Sequence, residues 1–207
     1  LIFLKNNKVN RLSIGIQSFN KKILNTLGRN YNFNIIEKIL LCKKNFDNIN
    51  VDLIYGINNQ SIKDLKQDLE KFFSLDITHI SIYSLILENN TILKINNYIP
   101  MEDDEVREMY DLIKKVLKEN NYIHYEISNF SKKGYESKHN LNYWNNNTYY
   151  GFGLGASGYI NNIRYTNTRN INKYLKDQYI YEKETITKEI DMSYFMILGL
   201  RKVQGVN

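Results

Sequence analysis

The stretch NVDLIYGINNQSIKDLKQDLEKFFSLDITHISIYSL, residues 50–85, decides the fold. With Ile49 before it, the first run alternates: Ile49, Val51 and Leu53 take one side of an extended strand, Asn50 and Asp52 the other. Next, Ile62, Leu65, Leu69, Phe72 and Phe73 recur at helical spacing. Ser61 and Asp64 fit a capping box, in which hydroxyl and carboxylate satisfy otherwise unpaired amides of the first turn. The third run, His79 to Leu85, is rich in β-branched and aromatic residues and reads as a second strand.

The same alternation extends in both directions. Leu12, Ile14 and Ile16 mark an earlier strand, and Ile35, Ile36, Ile39 and Leu40 a helix. Downstream, Val106, Met109, Tyr110, Ile113, Val116 and Leu117 share one helical face. Acidic residues at 102–105 and lysines at 114, 115 and 118 suit that helix's dipole. Tyr122 to Ile127 reads as a further strand. The rhythm predicts an α/β fold with a parallel sheet and right-handed crossovers, either open or part of a barrel. Ligands then sit at the C-terminal ends of the strands.

After residue 128 the rhythm breaks. Asn129 to Tyr150 reads as a polar, aromatic loop, followed by a glycine-rich stretch from Gly151 to Gly158. A short hairpin and a final helix near Lys188 to Leu200 are expected beyond it. The expected division is residues 1–127 for the sheet-and-helix part and 128–207 for a small α+β region, made of the HNLNYW and glycine-rich segment and the start of a C-terminal helical domain expected to be truncated.

At 207 residues, 43% hydrophobic and 24% charged, the composition is that of a globular chain. The apolar runs fall far short of the roughly 18 residues a membrane span needs, so no stable membrane anchor is expected. The net charge of +6 is spread in pairs such as Lys43-Lys44, Lys114-Lys115 and Lys132-Lys133. Without a long basic stripe, nucleic acid is not an expected partner. Cys42 is the only cysteine. That excludes an internal disulfide and a self-contained thiolate cluster, and points to a reducing, cytoplasmic setting.

Three groups of residues invite chemistry. Gln17 follows the first strand, Arg29 lies past the first connecting loop, and Asp52 sits inside the second strand. A carboxamide, a guanidinium and a carboxylate can hold an amino-acid or nucleoside ligand. Equally, Asp52 and Arg29 can form a structural ion pair while Gln17 caps a turn. Gly153, Gly155 and Gly158 spell G-x-G-x-x-G, but Tyr159, Ile160, Ile163 and Tyr165 follow as strand or hairpin. A dinucleotide fingerprint needs a helix there, so the glycines are read as tight turns or close approaches. Finally, His139 sits with Asn140, Tyr143 and Trp144, either as a heme-associated imidazole or as a packed surface residue. His79 and His124 lie in strand-like runs and read as structural.

RLSIGIQSFN (Arg11 to Asn20), LGR (Leu27 to Arg29), NVDLIYG (Asn50 to Gly56), HISIYSL (His79 to Leu85), YEISNF (Tyr125 to Phe130) and HNLNYW (His139 to Trp144) occur in that order. Together they resemble the HemW-type heme chaperones of the radical S-adenosylmethionine superfamily. The nearest relatives of that family are the oxygen-independent coproporphyrinogen III oxidases. QSF at Gln17 to Phe19, where the oxidases carry QDF, and the HNxxYW pattern favour the chaperone branch.

The resemblance implies a partial (β/α) radical-SAM barrel, with only its later strands in this chain, followed by a small α+β region. It also implies S-adenosylmethionine and a [4Fe-4S] cluster as cofactors. Gln17, Arg29 and Asp52 match side chains that contact S-adenosylmethionine, Ile86 matches a backbone contact, and His139 is the heme-associated candidate. The implied activity is to bind heme and deliver it to a heme-accepting target protein. The alternative is decarboxylation of coproporphyrinogen III propionates. A radical enzyme acting on RNA and an inactive remnant are further rivals.

Several departures stand out. The family's C-x-x-x-C-x-x-C motif belongs upstream of Leu1, and Cys42 on its helix does not replace it, so the chain is expected to be an internal fragment. Ile57 and Asn58 occupy a turn that usually carries proline, and Ser157 stands where a histidine is common.

Overall fold

A computed structural model describes residues 1–31, 34–89 and 91–206. They form two compact units, Leu1–Glu136 and Ser137–Asn207.

The first unit contains, in order, α1 (Ile2–Asn6), β1 (Leu12–Gln17), α2 (Lys21–Thr26), α3 (Ile35–Lys43), β2 (Ile49–Tyr55), α4 (Ile62–Ser74), β3 (His79–Ser84), α5 (Ile92–Ile95), α6 (Asp103–Glu119), β4 (Ile123–Glu126) and β5 (Asn129–Ser131). Its sheet runs β1-β2-β3-β5-β4. The first two pairings are parallel, as the crossover helices require. The capping box at Ser61 and Asp64 is formed as the sequence predicts.

The far edge departs from the expected all-parallel rhythm. β4 does not join β3; a two-residue turn at Ile127 and Ser128 folds the chain back, and β5 inserts antiparallel between them. Residues 129–131, expected as loop, are therefore sheet. Phe130, at the centre of β5, is fully buried in the core.

Alternation divides the sheet into two chemically different faces. Ile16, Val51, Leu53, Ile80, Ile82 and Phe130 pack into one apolar core with Ile39, Leu65, Leu69, Phe72, Met109, Ile113 and Leu117. Those helical residues come from α3, α4 and α6, so the helices supply the lining on that side. The opposite face carries Ser13, Asn50, Asp52, His79, Ser81 and Asn129 in register across four strands.

The second unit contains α7 (Lys138–Trp144), β6 (Ser157–Ile160), β7 (Ile163–Asn167), α8 (Ile171–Tyr174), β8 (Ile180–Thr185) and α9 (Lys188–Gly199). The expected hairpin is present: Ile160 pairs with Ile163, and Asn161 and Asn162 at the turn have φ of 51° and 60°. Two left-handed residues in a row match the twist of the flanking strands, and asparagine tolerates them. β8 adds to β7 antiparallel. The Arg164 guanidinium lies between the Tyr159 and Tyr194 rings, 4.4 and 4.0 Å from their centroids. The segment HNLNYW, expected within a loop, is helical as α7. Ser137 caps it by accepting from the Asn140 amide at 3.3 Å.

No helix among the described residues is long and apolar enough to cross a membrane.

Candidate functional site

The polar sheet face gathers two of the residues singled out from sequence. Asp52 on β2 accepts from Asn50 Nδ2 at 2.6 Å and lies 3.4 and 3.5 Å from the Ser13 hydroxyl. Gln17 ends β1 with φ of 65°, where the β1–β2 register slips past Gly15. A left-handed glutamine costs on the order of 1 kcal/mol. The slip turns its side chain back across Gly15: a Cβ at Gly15 would lie 2.7 Å from Gln17 Nε2 and 4.0 Å from Asp52 Oδ2. A side chain at position 15 would push the Gln17 carboxamide aside. The Tyr31 hydroxyl donates to Gln17 Oε1 at 2.8 Å, which orients the carboxamide with its NH2 toward the Asp52 side.

The turn after Gln17 is held from below by α4. Asp68, 2% exposed, accepts from the Ser18 hydroxyl at 2.6 Å and the Phe19 amide at 2.8 Å. Asn20 donates its side-chain amide to Asp64 at 3.0 Å. Burial pushes the Asp68 carboxyl above its ordinary range, against the pull of those donors.

Arg29 is exposed on an open cleft that Ser18, Phe19, Lys21, Tyr31 and Ile35 also line. Burial raises the Tyr31 phenol, and the nearby Arg29 charge opposes it. Among the described residues no ion pair joins Arg29 to Asp52, so the purely structural pairing open to these residues is not the one formed. Ile86 lies two residues past β3, 75% exposed. The strand end before it is fixed by the Leu85 amide, which donates to the Tyr55 carbonyl at 2.9 Å. Gln17 and Ile86 therefore stand at the same, C-terminal, end of the parallel strands.

In the second unit, His139 lies exposed in the first turn of α7, one turn before Tyr143. Their rings meet edge to face at 4.7 Å, and Tyr143 meets Tyr149 the same way at 4.4 Å. The glycine stretch opens no helix; its last two residues, Ser157 and Gly158, already belong to β6. A Cβ at Gly151 would fall on the Ser157 carbonyl and one at Gly158 on the Tyr165 ring. These glycines serve close approach, as the absent fingerprint context predicts.

Sequence reasoning missed Tyr31, Asn50 and the full setting of His79. His79 is completely buried, between Asn50 and Tyr125. Burial, with Arg11 adding to it, pushes its imidazole down to about 3, so it is neutral at physiological pH. Strand alternation places Asn50 beside Asp52, but nothing in the residue order tells which polar neighbours bond.

The residues present fit an amino-acid nucleoside better than a metal cluster. Gln17 and Asp52 converge across a glycine, and Arg29 lines the cleft that Tyr31 also lines. Among the described residues no three histidine, cysteine or acidic side chains group as metal ligands, and Cys42 is half-buried on α3. Among the described residues no set of side chains fits a [4Fe-4S] cluster.

No family model matches the chain. It is similar over nearly all its length to curated heme chaperones. It is 40% identical to heme chaperone HemW of Lactococcus lactis subsp. lactis over 98% of this chain and 56% of that protein. Heme chaperone HemW of Bacillus subtilis is 38% identical over 100% and 58%, and that of Escherichia coli 31% identical over 86% and 49%. The chain therefore spans about half the length of the curated relatives it matches. Among solved structures, coproporphyrinogen III oxidase from Escherichia coli, titled a radical SAM enzyme, aligns with a TM-score of 0.79 and 18% identity. That alignment covers 96% of this chain and 51% of that one. The likeness establishes the fold: part of a radical-SAM barrel with the small α+β region after it. Along almost every residue the chain is similar in sequence to the HemW-type heme chaperones, over about half of their length.

Proposed function

We propose that the chain is the S-adenosylmethionine-contacting and heme-associated portion of a heme chaperone, which binds heme and passes it to a target protein. The observation that carries this reading is the 40% identity over 98% of the chain to a protein named as a heme chaperone. Two geometries support it: the Gln17–Asp52 pair across Gly15, and the exposed His139 on an aromatic ladder.

In this reading Asp52 accepts from ammonium or hydroxyl donors of the cofactor, Gln17 donates its amide NH2, and Arg29 meets the carboxylate. The cofactor, when bound, supplies a sulfonium and an adenosyl group; the chain's residues orient it. Heme is cargo, and His139 offers an imidazole nitrogen to its iron. The likeness to coproporphyrinogen III oxidase carries the fold alone, and no propionate-decarboxylating step is assigned to these residues.

The test is a heme titration followed by Soret absorbance, comparing the wild-type chain with His139→Ala. A saturable Soret shift that the substitution abolishes is expected. A shift indifferent to His139 would remove the ligand from α7, and no shift at all would remove heme from this chain.

A further inference from the structure

The buried polar side chains behind Asp52 form one directional chain. Asn50 Nδ2 lies 2.6 Å from Asp52 Oδ1 and 2.7 Å from the Ser13 hydroxyl. Asn50 Oδ1 lies 2.6 Å from His79 Nδ1 and 3.1 Å from the Ser81 hydroxyl. His79 Nε2 lies 2.7 Å from the Tyr125 hydroxyl. Asn50, His79 and Ser81 are 1%, 0% and 3% exposed.

Chemistry fixes every direction in this chain. An ionised carboxylate only accepts, so Asn50 must present its NH2 to Asp52. Its carbonyl oxygen then faces His79 and Ser81, and both must donate to it. His79 therefore carries its proton on Nδ1, which leaves Nε2 to accept from Tyr125. Every donor points toward Asp52, from β4 through β3 to β2. Hydrogen bonds in series polarise one another, and at low dielectric a broken link is costly. Burying these three polar groups makes little sense for packing alone, since apolar residues on this face would avoid their desolvation.

We infer that His79, as the neutral Nδ1–H tautomer, is a positioning residue for Asp52: through Asn50 it holds the carboxylate toward Gly15 and Gln17, so that Oδ2 meets an ammonium or hydroxyl donor of the bound nucleoside. This rests on the S-adenosylmethionine reading above and adds a residue that touches no ligand.

The test combines calorimetric titration of S-adenosylmethionine into the 207-residue chain with two-bond 1H–15N spectra of its histidines. His79→Leu should weaken binding about tenfold, the worth of one buried hydrogen bond. His79→Asn, whose amide can donate to Asn50 as Nδ1–H does, should recover most of that loss. Tyr125→Phe, which removes only the far link, should cost less than His79→Leu and guards against a leucine variant that fails to fold. The wild-type spectrum should show His79 protonated on Nδ1. An Nε2–H tautomer, or equal affinity for wild type and all three variants, would overturn the inference while leaving the cofactor reading intact. A wild-type chain that keeps the Nδ1–H tautomer but binds no S-adenosylmethionine would sink the cofactor reading, and the positioning role with it.

Discussion

The Asp68 carboxylate on α4 accepts from the Ser18 hydroxyl at 2.6 Å, one residue beyond the left-handed Gln17. A buried acid on a helix thus fixes the turn that aims a site residue on a strand. Asp68→Ala strands the Ser18 hydroxyl and the Phe19 amide, and should cost about 2–3 kcal/mol in urea unfolding. A cost near zero would mean that other contacts hold the turn.

The pH dependence of that acid has a definite sign. Burial raises the Asp68 pKa above its unfolded value, so the folded state binds the proton more tightly. Its stabilising contribution is present below the unfolded carboxylate pKa and is lost as pH rises through the folded value. Wild type should therefore gain stability relative to Asp68→Asn on acidification from neutral pH. Asp76 behaves oppositely: Lys132 first, and then Lys43, hold its carboxyl low. Its contribution is present above the unfolded pKa and fades as pH falls through the folded one, so wild type should lose ground to Asp76→Asn in acid. Unfolding curves across pH check both signs.

Phe72 is fully buried, with the Phe73 and Tyr122 rings each 5.4 Å away. Phe72→Ala should cost about 3–5 kcal/mol, the usual range for emptying such a site. In thermal melts this variant should lose its cooperative transition or melt far below wild type.

Gly15→Ala leaves every polar group of the site in place, yet its methyl would meet the Gln17 amide at 2.7 Å. Binding of S-adenosylmethionine should fall by about tenfold or more, since a displaced amide loses a hydrogen bond's worth of affinity. Calorimetry with unchanged affinity would show that Gln17 does not face the ligand.

Much of the first unit was legible because periodicity tracks burial. Val51 and Leu53 lie in the core and Asn50 and Asp52 on the polar face, as alternation alone predicts. The β4–β5 hairpin was not legible: Ile127 and Ser128 carry none of the glycine, asparagine or proline signals that mark a tight turn. α7 was hidden for a related reason, since asparagine is a poor helix former and HNLNYW reads as a loop until Ser137 is recognised as its cap. At the site, Gln17 announced itself as a polar residue just past a strand and Asp52 as one inside a strand. The Tyr31 and His79 partners lie 14 and 29 positions from the residues they bond, a proximity only the folded chain creates.

The positive φ of Gln17 sets two selective pressures against each other. Glycine would adopt that backbone without penalty and should make the fold more robust, while deleting the carboxamide that reaches toward Asp52. A library screened only for heat resistance should therefore enrich glycine at position 17, and one screened only for ligand capture should restore glutamine.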